Sequence, residues 1–435
     1  MSDVKVDTLS SIEKAVESTP PSERSSTPEL TYPEGGLKAW LAVLGAWLVQ
    51  FSTFGYTQSF GVFQDFYVRD FLNNKTSSDI SWIGSIQVLL VLSIGFLTGY
   101  GLDRGYFYLL NTSGSVLLVF SLFMLSLAHP HQWYQVFLAQ GLGAGLGVGL
   151  TYVPALGILS HYFEKRRALV MGIASSGSCI GGIVHPIMLN RLFESVGFAK
   201  GVRASAGLNL GVLFVGCALI RTRLPPKQGI GASAIWSQSR RFVKDPAYVL
   251  TLIGSFLIVL GSFFPIFFLQ LDAITRGLSP AFAFDTLAIL YSGSFFGRII
   301  PSWLSRRFGL FNTMIICTTG IVAMQFGMIG VTTVGSTIAF GILFGFFSGA
   351  FVALISPMLA LFAEDISEVG ARMGICHLLN GIGGFLGVPI GAALLGAQNR
   401  WWRPIVFSGC CVAVGTGLFI MARMLLVKRR GTNFL

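Results

Sequence analysis

From residue 37 onward the chain is a succession of long apolar stretches separated by short polar breaks. Roughly 30 Å of hydrocarbon is crossed by about 20 helical residues rising about 1.5 Å each. Stretches of that order fall at 37–63, 82–100, 109–128, 136–159, 168–189, 204–220, 247–271, 283–303, 312–331, 335–359, 373–395 and 404–427. The pattern predicts an all-α membrane protein with twelve transmembrane helices. The sixth stretch is the weakest of them, because Lys200 and Arg203 blur its start.

Composition agrees with that pattern: 53% of residues are hydrophobic, 11% are charged and the mean hydropathy is +0.70. A water-soluble surface cannot be built from so few charges. The formal charge of +11 would suggest nucleic acid in a soluble protein. In a membrane protein, Lys and Arg gather on cytoplasmic loops beside anionic headgroups, so the expected partner is the lipid bilayer and not nucleic acid. Threading the loops with the N-terminus inside puts most of the 30 Lys and Arg residues on one side, which predicts two cytoplasmic termini. The densest group is Arg221, Arg223, Lys227, Arg240, Arg241 and Lys244. It marks 221–246 as a cytoplasmic linker between a six-helix bundle at 37–220 and a second at 247–427. Residues 1–36 are expected to form a disordered cytosolic tail, and 428–435 a short cytosolic one.

An internal repeat points to the same division. At a constant spacing of 202 residues, Gly172–Ile173 recurs as Gly374–Ile375, and Ile180–Gly181–Gly182 as Ile382–Gly383–Gly384. Asp103 and Arg104 fall on Ser305 and Arg306 at that spacing. Strips of glycine, Gly141/Gly145/Gly149 with Gly143/Gly147, and Gly383/Gly387/Gly391, let helices approach closely; a sliding surface for a transport cycle is the functional reading of the same strips. The six cysteines lie in apolar runs without metal-ligand spacing, so no disulfide, metal or other cofactor is expected.

Polar groups inside apolar runs carry the candidate chemistry. Arg298 is the deepest charge, and a guanidinium there could grip a carboxylate, enolate or phenolate through paired hydrogen bonds; snorkelling to a membrane face is the alternative. Gln58, Tyr56, Gln87, Tyr152, Ser294, His377 and Asn380 are further substrate-lining candidates, although each could equally bond a neighbouring helix. His185 reads as lying near the end of its helix, away from the core site. Asp103 and Arg104, in GYGLDRGYF (99–107), could form a latch that holds one conformation, or simply an anchor at the membrane face. Asn74-Lys75-Thr76 is a glycosylation sequon on the expected outer side. Asn111-Thr112-Ser113 matches the same pattern on the opposite side and should stay unmodified.

The GxxxDR loop at 99–104 resembles the signature loop of the major facilitator superfamily. PEGGLKAW (33–40) and YFEKRRALVMGIASSGSCIGG (162–182) are similar to two signatures of its monocarboxylate porter family, and DRGYF looks like the form in fungal members. The resemblance covers essentially everything after the N-terminal tail. It implies the major facilitator fold, alternating access, and an arginine at position 298 that belongs to the substrate site. It also implies substrates such as monocarboxylates, riboflavin-type heterocycles or secondary metabolites.

The expected function is therefore secondary, non-ATP transport of a small organic metabolite by a monomer in the plasma membrane. The alternatives are a proton-coupled monocarboxylate or riboflavin-type uptake carrier, a transporter-like sensor, and a membrane-embedded enzyme; the last is disfavoured by the scarcity of intramembrane carboxylates and of paired histidines. Proton-coupled family members resemble one another in a lysine on the first helix and an aspartate four residues before the arginine. Gln58 and Ser294 stand at those places here, and neither titrates near neutral pH, so movement down the solute's own gradient is expected, with His377 as the group that could restore proton exchange.

Overall fold

The computed structural model describes residues 32–223, 241–363, 368–396 and 400–432. The tail reading (1–36) and the linker reading (221–246) fall largely outside these residues. Eleven helices are long and apolar enough to cross a membrane: α1 Leu37–Phe71, α2 Asp79–Asp103, α3 Phe107–Leu125, α4 Trp133–His161, α5 Arg167–Val196, α6 Phe198–Leu219, α7 Pro246–Thr275, α9 Leu310–Gly330, α10 Val334–Ala360, α11 Val369–Leu395 and α12 Trp402–Arg429. Between them lies α8, Pro280–Phe308, equally long at 29 residues but carrying Asp285, Arg298, Arg306 and Arg307. Large apolar side chains such as Leu109, Phe214, Ile316 and Met424 stand exposed, as a lipid-facing surface requires.

The weak member is thus α8 and not the sixth helix. α6 starts at Phe198, six residues earlier than the hydropathy suggested, and runs unbroken for 22 residues. Lys200 and Arg203 sit in its opening turns, where Arg203 donates to Ser126 Oγ at 3.2 Å. A single residue, Gly197 at φ 82°, turns the chain from α5 into α6, a backbone conformation that favours glycine.

α1 departs most from the sequence reading. It continues to Phe71 instead of ending near 63, and it is interrupted at Thr53 (φ −98°, ψ −85°) and again around Gln58–Ser59. Its last turn, Tyr67–Phe71, is π-helical, as is Phe137–Ala144 in α4. Tyr67 Oη donates to Gln140 Oε1 at 2.6 Å and ties the two widened turns together.

The glycine strips pack as their spacing implies, each on its own neighbour. A Cβ on Gly141, Gly145 or Gly149 would meet Ile86, Gln87 and Leu90 of α2, whereas one on Gly143 or Gly147 would meet Ser121 and Leu118 of α3. Gly383, Gly387 and Gly391 lie on Phe256, Leu260 and Phe264 of α7. Helices α1–α6 meet α7–α12 mainly along two seams, α2 with α11 and α5 with α8.

The two seams differ. α2 and α11 stay together from Gly99 on Gly370, through Gly95 on Gly374, to Trp82 and Phe385, whose rings lie 5.6 Å apart. α5 and α8 touch from Gly172 against Arg298 and Ser302 to Gly182 against Tyr291. Beyond that point they part, and a narrow cleft opens between Ile183, Pro186, Asn190 and Phe284, Leu287, Ala288.

Candidate functional site

Four helices bring polar side chains to the middle of the bundle. Arg298 on α8 is 3% exposed, and its Nη1 donates at 2.5 Å both to the backbone oxygen of Ser175 and to Ser178 Oγ on α5. The guanidinium is therefore held across a seam and does not snorkel to a membrane face. Its Nε has no hydrogen-bond partner. One turn earlier on α8, Ser294 Oγ accepts from Cys179 of α5 at 3.5 Å. Tyr152 of α4 and Tyr291 of α8 lie within electrostatic reach of the guanidinium.

Tyr152 also meets His377 of α11 edge-on, with ring centroids 5.5 Å apart. Both nitrogens of His377 are buried without partners. A buried donor or acceptor left unpaired costs about 1–3 kcal/mol, so the middle of the bundle holds unspent hydrogen-bonding capacity at Arg298 and His377. Gln58, at the second break in α1, lines the α5–α8 cleft and also a narrower one that it shares with Gln87, Phe54, Phe263 and Phe267.

Two of the expected lining residues stand apart from this group. Tyr56 is buried inside α1–α6, against Phe63 and His185. Asn380 accepts from Ser255 of α7 at 2.9 Å, within α7–α12. His185 itself is fully buried, tilted against Phe51 and edge-on to Tyr56, so it too stands apart from the central group.

At one end of the bundle Asp103 accepts the backbone N–H groups of Gly370 (3.2 Å) and Ala371 (3.0 Å), the opening turn of α11. A carboxylate there satisfies orphan donors and opposes the positive end of the helix dipole. Arg104 takes no part in this contact; it lies over the Tyr100 ring at 4.4 Å. On the same face the carboxylate of Glu34 accepts the N–H groups of Glu164 (2.7 Å), Lys165 (2.6 Å) and Arg166 (3.3 Å) just before α5. Glu34 N donates in turn to Tyr162 O at 3.2 Å. The PEGG and YFEKRR segments, far apart in sequence, thus clasp each other. Asn74 lies at the opposite end, exposed, with its amide on His131 O at 3.2 Å. Thr76 of the sequon caps α2 through Asp79.

Sequence reasoning picked out Arg298 and Asp103 but neither partner. Ser175 and Ser178 stand inside the 162–182 segment, yet small residues in a helix carry no signal of what faces them. The acceptor for Asp103 is bare backbone, which no residue type announces.

The family model for the Major Facilitator Superfamily matches residues 39–340. Over 418 residues the chain is 36% identical to the aspyridones efflux protein of Emericella nidulans, covering 95% of this chain and 82% of that one. It is 36% identical over 395 residues to the agnestins efflux protein of Paecilomyces divaricatus, covering 89% and 88%. Identity to the fujikurins efflux protein of Gibberella fujikuroi is also 36%, over 405 residues, covering 92% and 85%. With a helical bundle of this kind, a match over most of its length and relatives of this similarity, the chain belongs to the major facilitator superfamily.

Proposed function

We propose that this chain exports a small organic metabolite bearing an anionic or strongly accepting oxygen, and that Arg298 recognises that oxygen. As a member of its family the chain is a secondary transporter of small organic solutes and not an enzyme. The export direction rests on the relatives, whose names describe efflux of aspyridones, agnestins and fujikurins. The observation that carries the substrate class is the burial of Arg298 at the seam between α5 and α8, among groups from four helices and with no carboxylate among its hydrogen-bond partners. An unpaired buried guanidinium is costly, so an anionic ligand has much to gain there.

The two bundles, 37–220 and 247–427, are the halves that rock about this centre, with all twelve helices spanning the bilayer. The Asp103 face, with Lys165, Arg167 and Arg306 around a common cleft, is the cytoplasmic one by the positive-inside rule. Both termini then lie in the cytosol, and Asn74 lies outside as the glycosylated position. Resemblance to monocarboxylate porters supports the substrate-site role of Arg298, and the absence of titrating groups at Gln58 and Ser294 supports movement driven by the solute's own gradient.

The test is export of a panel of organic acids and acidic polyketides from cells expressing the chain, with Arg298→Ala and Arg298→Lys beside it. Alanine should abolish export and lysine should restore little of it, because a point charge does not reproduce the planar fork. Normal export by the alanine variant would overturn the reading.

A further inference from the structure

We infer that Ser178 and the Ser175 carbonyl are a surrogate ligand for Arg298, whose place the substrate takes in the form of the protein with the α5–α8 seam parted. The inference deepens the substrate role proposed for Arg298 and rests on it. Nη1 of Arg298 finds two oxygens at 2.5 Å, one carbonyl and one hydroxyl, both presented by α5. A ligand carboxylate offers two oxygens, and bonds from a guanidinium to an ionised acceptor are stronger than bonds to neutral oxygens. The competition therefore favours the ligand once it arrives, while in its absence the serine pair satisfies part of the buried charge.

The location of the pair gives the exchange a mechanical consequence. The Arg298–Ser178 contact lies between the tight packing of Gly172 on Ser302 and the Gly182–Tyr291 contact, beyond which α5 and α8 diverge. Arg298 makes two hydrogen bonds across this seam, both from the same nitrogen to α5. The Ser178 hydroxyl also donates to Ser175 O at 3.0 Å, so the two acceptors form one preset cradle on consecutive turns of α5. Releasing Arg298 to a ligand removes the polar tie and leaves glycine and serine surfaces that separate without breaking interlocked side chains. Ser178 is in this sense a positioning residue. It holds the arginine in the ligand-free protein and sets how much ligand is needed to free it. A ligand that binds only the released form has its apparent affinity reduced by the fraction of protein in that form.

The test uses full-length protein in vesicles carrying Ser302→Cys as a reporter. Ser302 is fully buried on α8 against Gly172, so N-ethylmaleimide reaches a cysteine there only when the seam opens. Modification of that one site is followed by peptide mass spectrometry. Ser178→Ala should speed labelling about tenfold, which corresponds to the loss of one charge-assisted bond. Isosteric Ser178→Cys, a poor acceptor, should do the same. Ser178→Thr, which keeps the hydroxyl, should label like the parent. Millimolar benzoate should speed labelling of the parent several-fold and add little to Ser178→Ala, while benzamide has no effect. Unchanged labelling in both the alanine and cysteine variants would overturn the tie. Acceleration in those variants with no response to benzoate would overturn displacement by an anion. Neither outcome depends on the export assay, in which a functional Arg298→Ala would instead remove the substrate role of the arginine.

Discussion

The carboxylate of Asp103 receives the backbone N–H of Ala371 at 3.0 Å, across 268 positions of sequence. The contact ties the end of α2 to the start of α11 and closes one end of the seam between them. It involves no side chain on the α11 side, so it can be made or broken without disturbing the core of either helix.

Asp103→Asn keeps the size and one accepting oxygen but removes the charge that opposes the helix dipole. An interaction of this kind contributes about 1–2 kcal/mol. Maximal flux should fall about five- to tenfold with the half-saturating substrate concentration nearly unchanged, measured by initial rates over a substrate series. An equal loss in affinity would place Asp103 in the binding site instead.

Gly99 offers a steric probe of the same closure. A Cβ added there would lie 2.1 Å from the backbone oxygen of Gly370, far inside van der Waals contact and against an atom that cannot rotate away. Gly99→Val should hold α2 and α11 apart at the Asp103 end. The expected result is loss of flux with normal expression, and faster maleimide labelling of a cysteine placed at Ala371; a fully active valine variant would show that the seam never closes this tightly during transport.

Glu34 is expected to matter for stability and not for turnover. Its carboxylate caps three successive N–H groups ahead of α5, and removing such a cap costs about 1–2 kcal/mol. Glu34→Ala should lower the midpoint of thermal unfolding in detergent by a few degrees, while Glu34→Asp, with a shorter reach, recovers part of the loss. An unchanged midpoint would mean that the clasp is not retained in the folded ensemble.

Energy coupling is tested by imposing a pH gradient on proteoliposomes. Neither Gln58 nor Ser294 titrates near neutral pH, so solute should equilibrate without accumulating, and a protonophore should leave the rate unchanged. Accumulation that collapses with the protonophore would show that proton exchange survives, and its loss in His377→Gln would assign the exchange to that imidazole.

The sequence by itself determined the helices, because the length of an apolar run needed to cross hydrocarbon is a local property that hydropathy reads directly. It also marked Arg298 and Asp103, since a charge in or beside an apolar run stands out against its neighbours. The glycine strips were legible for the same reason, being periodic along one helix. What touches these residues was decided only by tertiary structure. Arg298 finds Ser178 and the Ser175 carbonyl 120 and 123 positions away, Asp103 finds backbone amides, and Glu34 finds the loop before α5. Each acceptor or donor is a small or featureless group whose value depends on the angle at which two helices meet. The same reason separates Tyr56 and Asn380 from the central group, for a polar side chain in an apolar run can face its own bundle or the seam, and only packing fixes which. The breaks in α1 at Thr53 and Gln58–Ser59 follow no proline; they flank Gly55, which packs on Gly181 of α5, and Gln58, which lines two clefts.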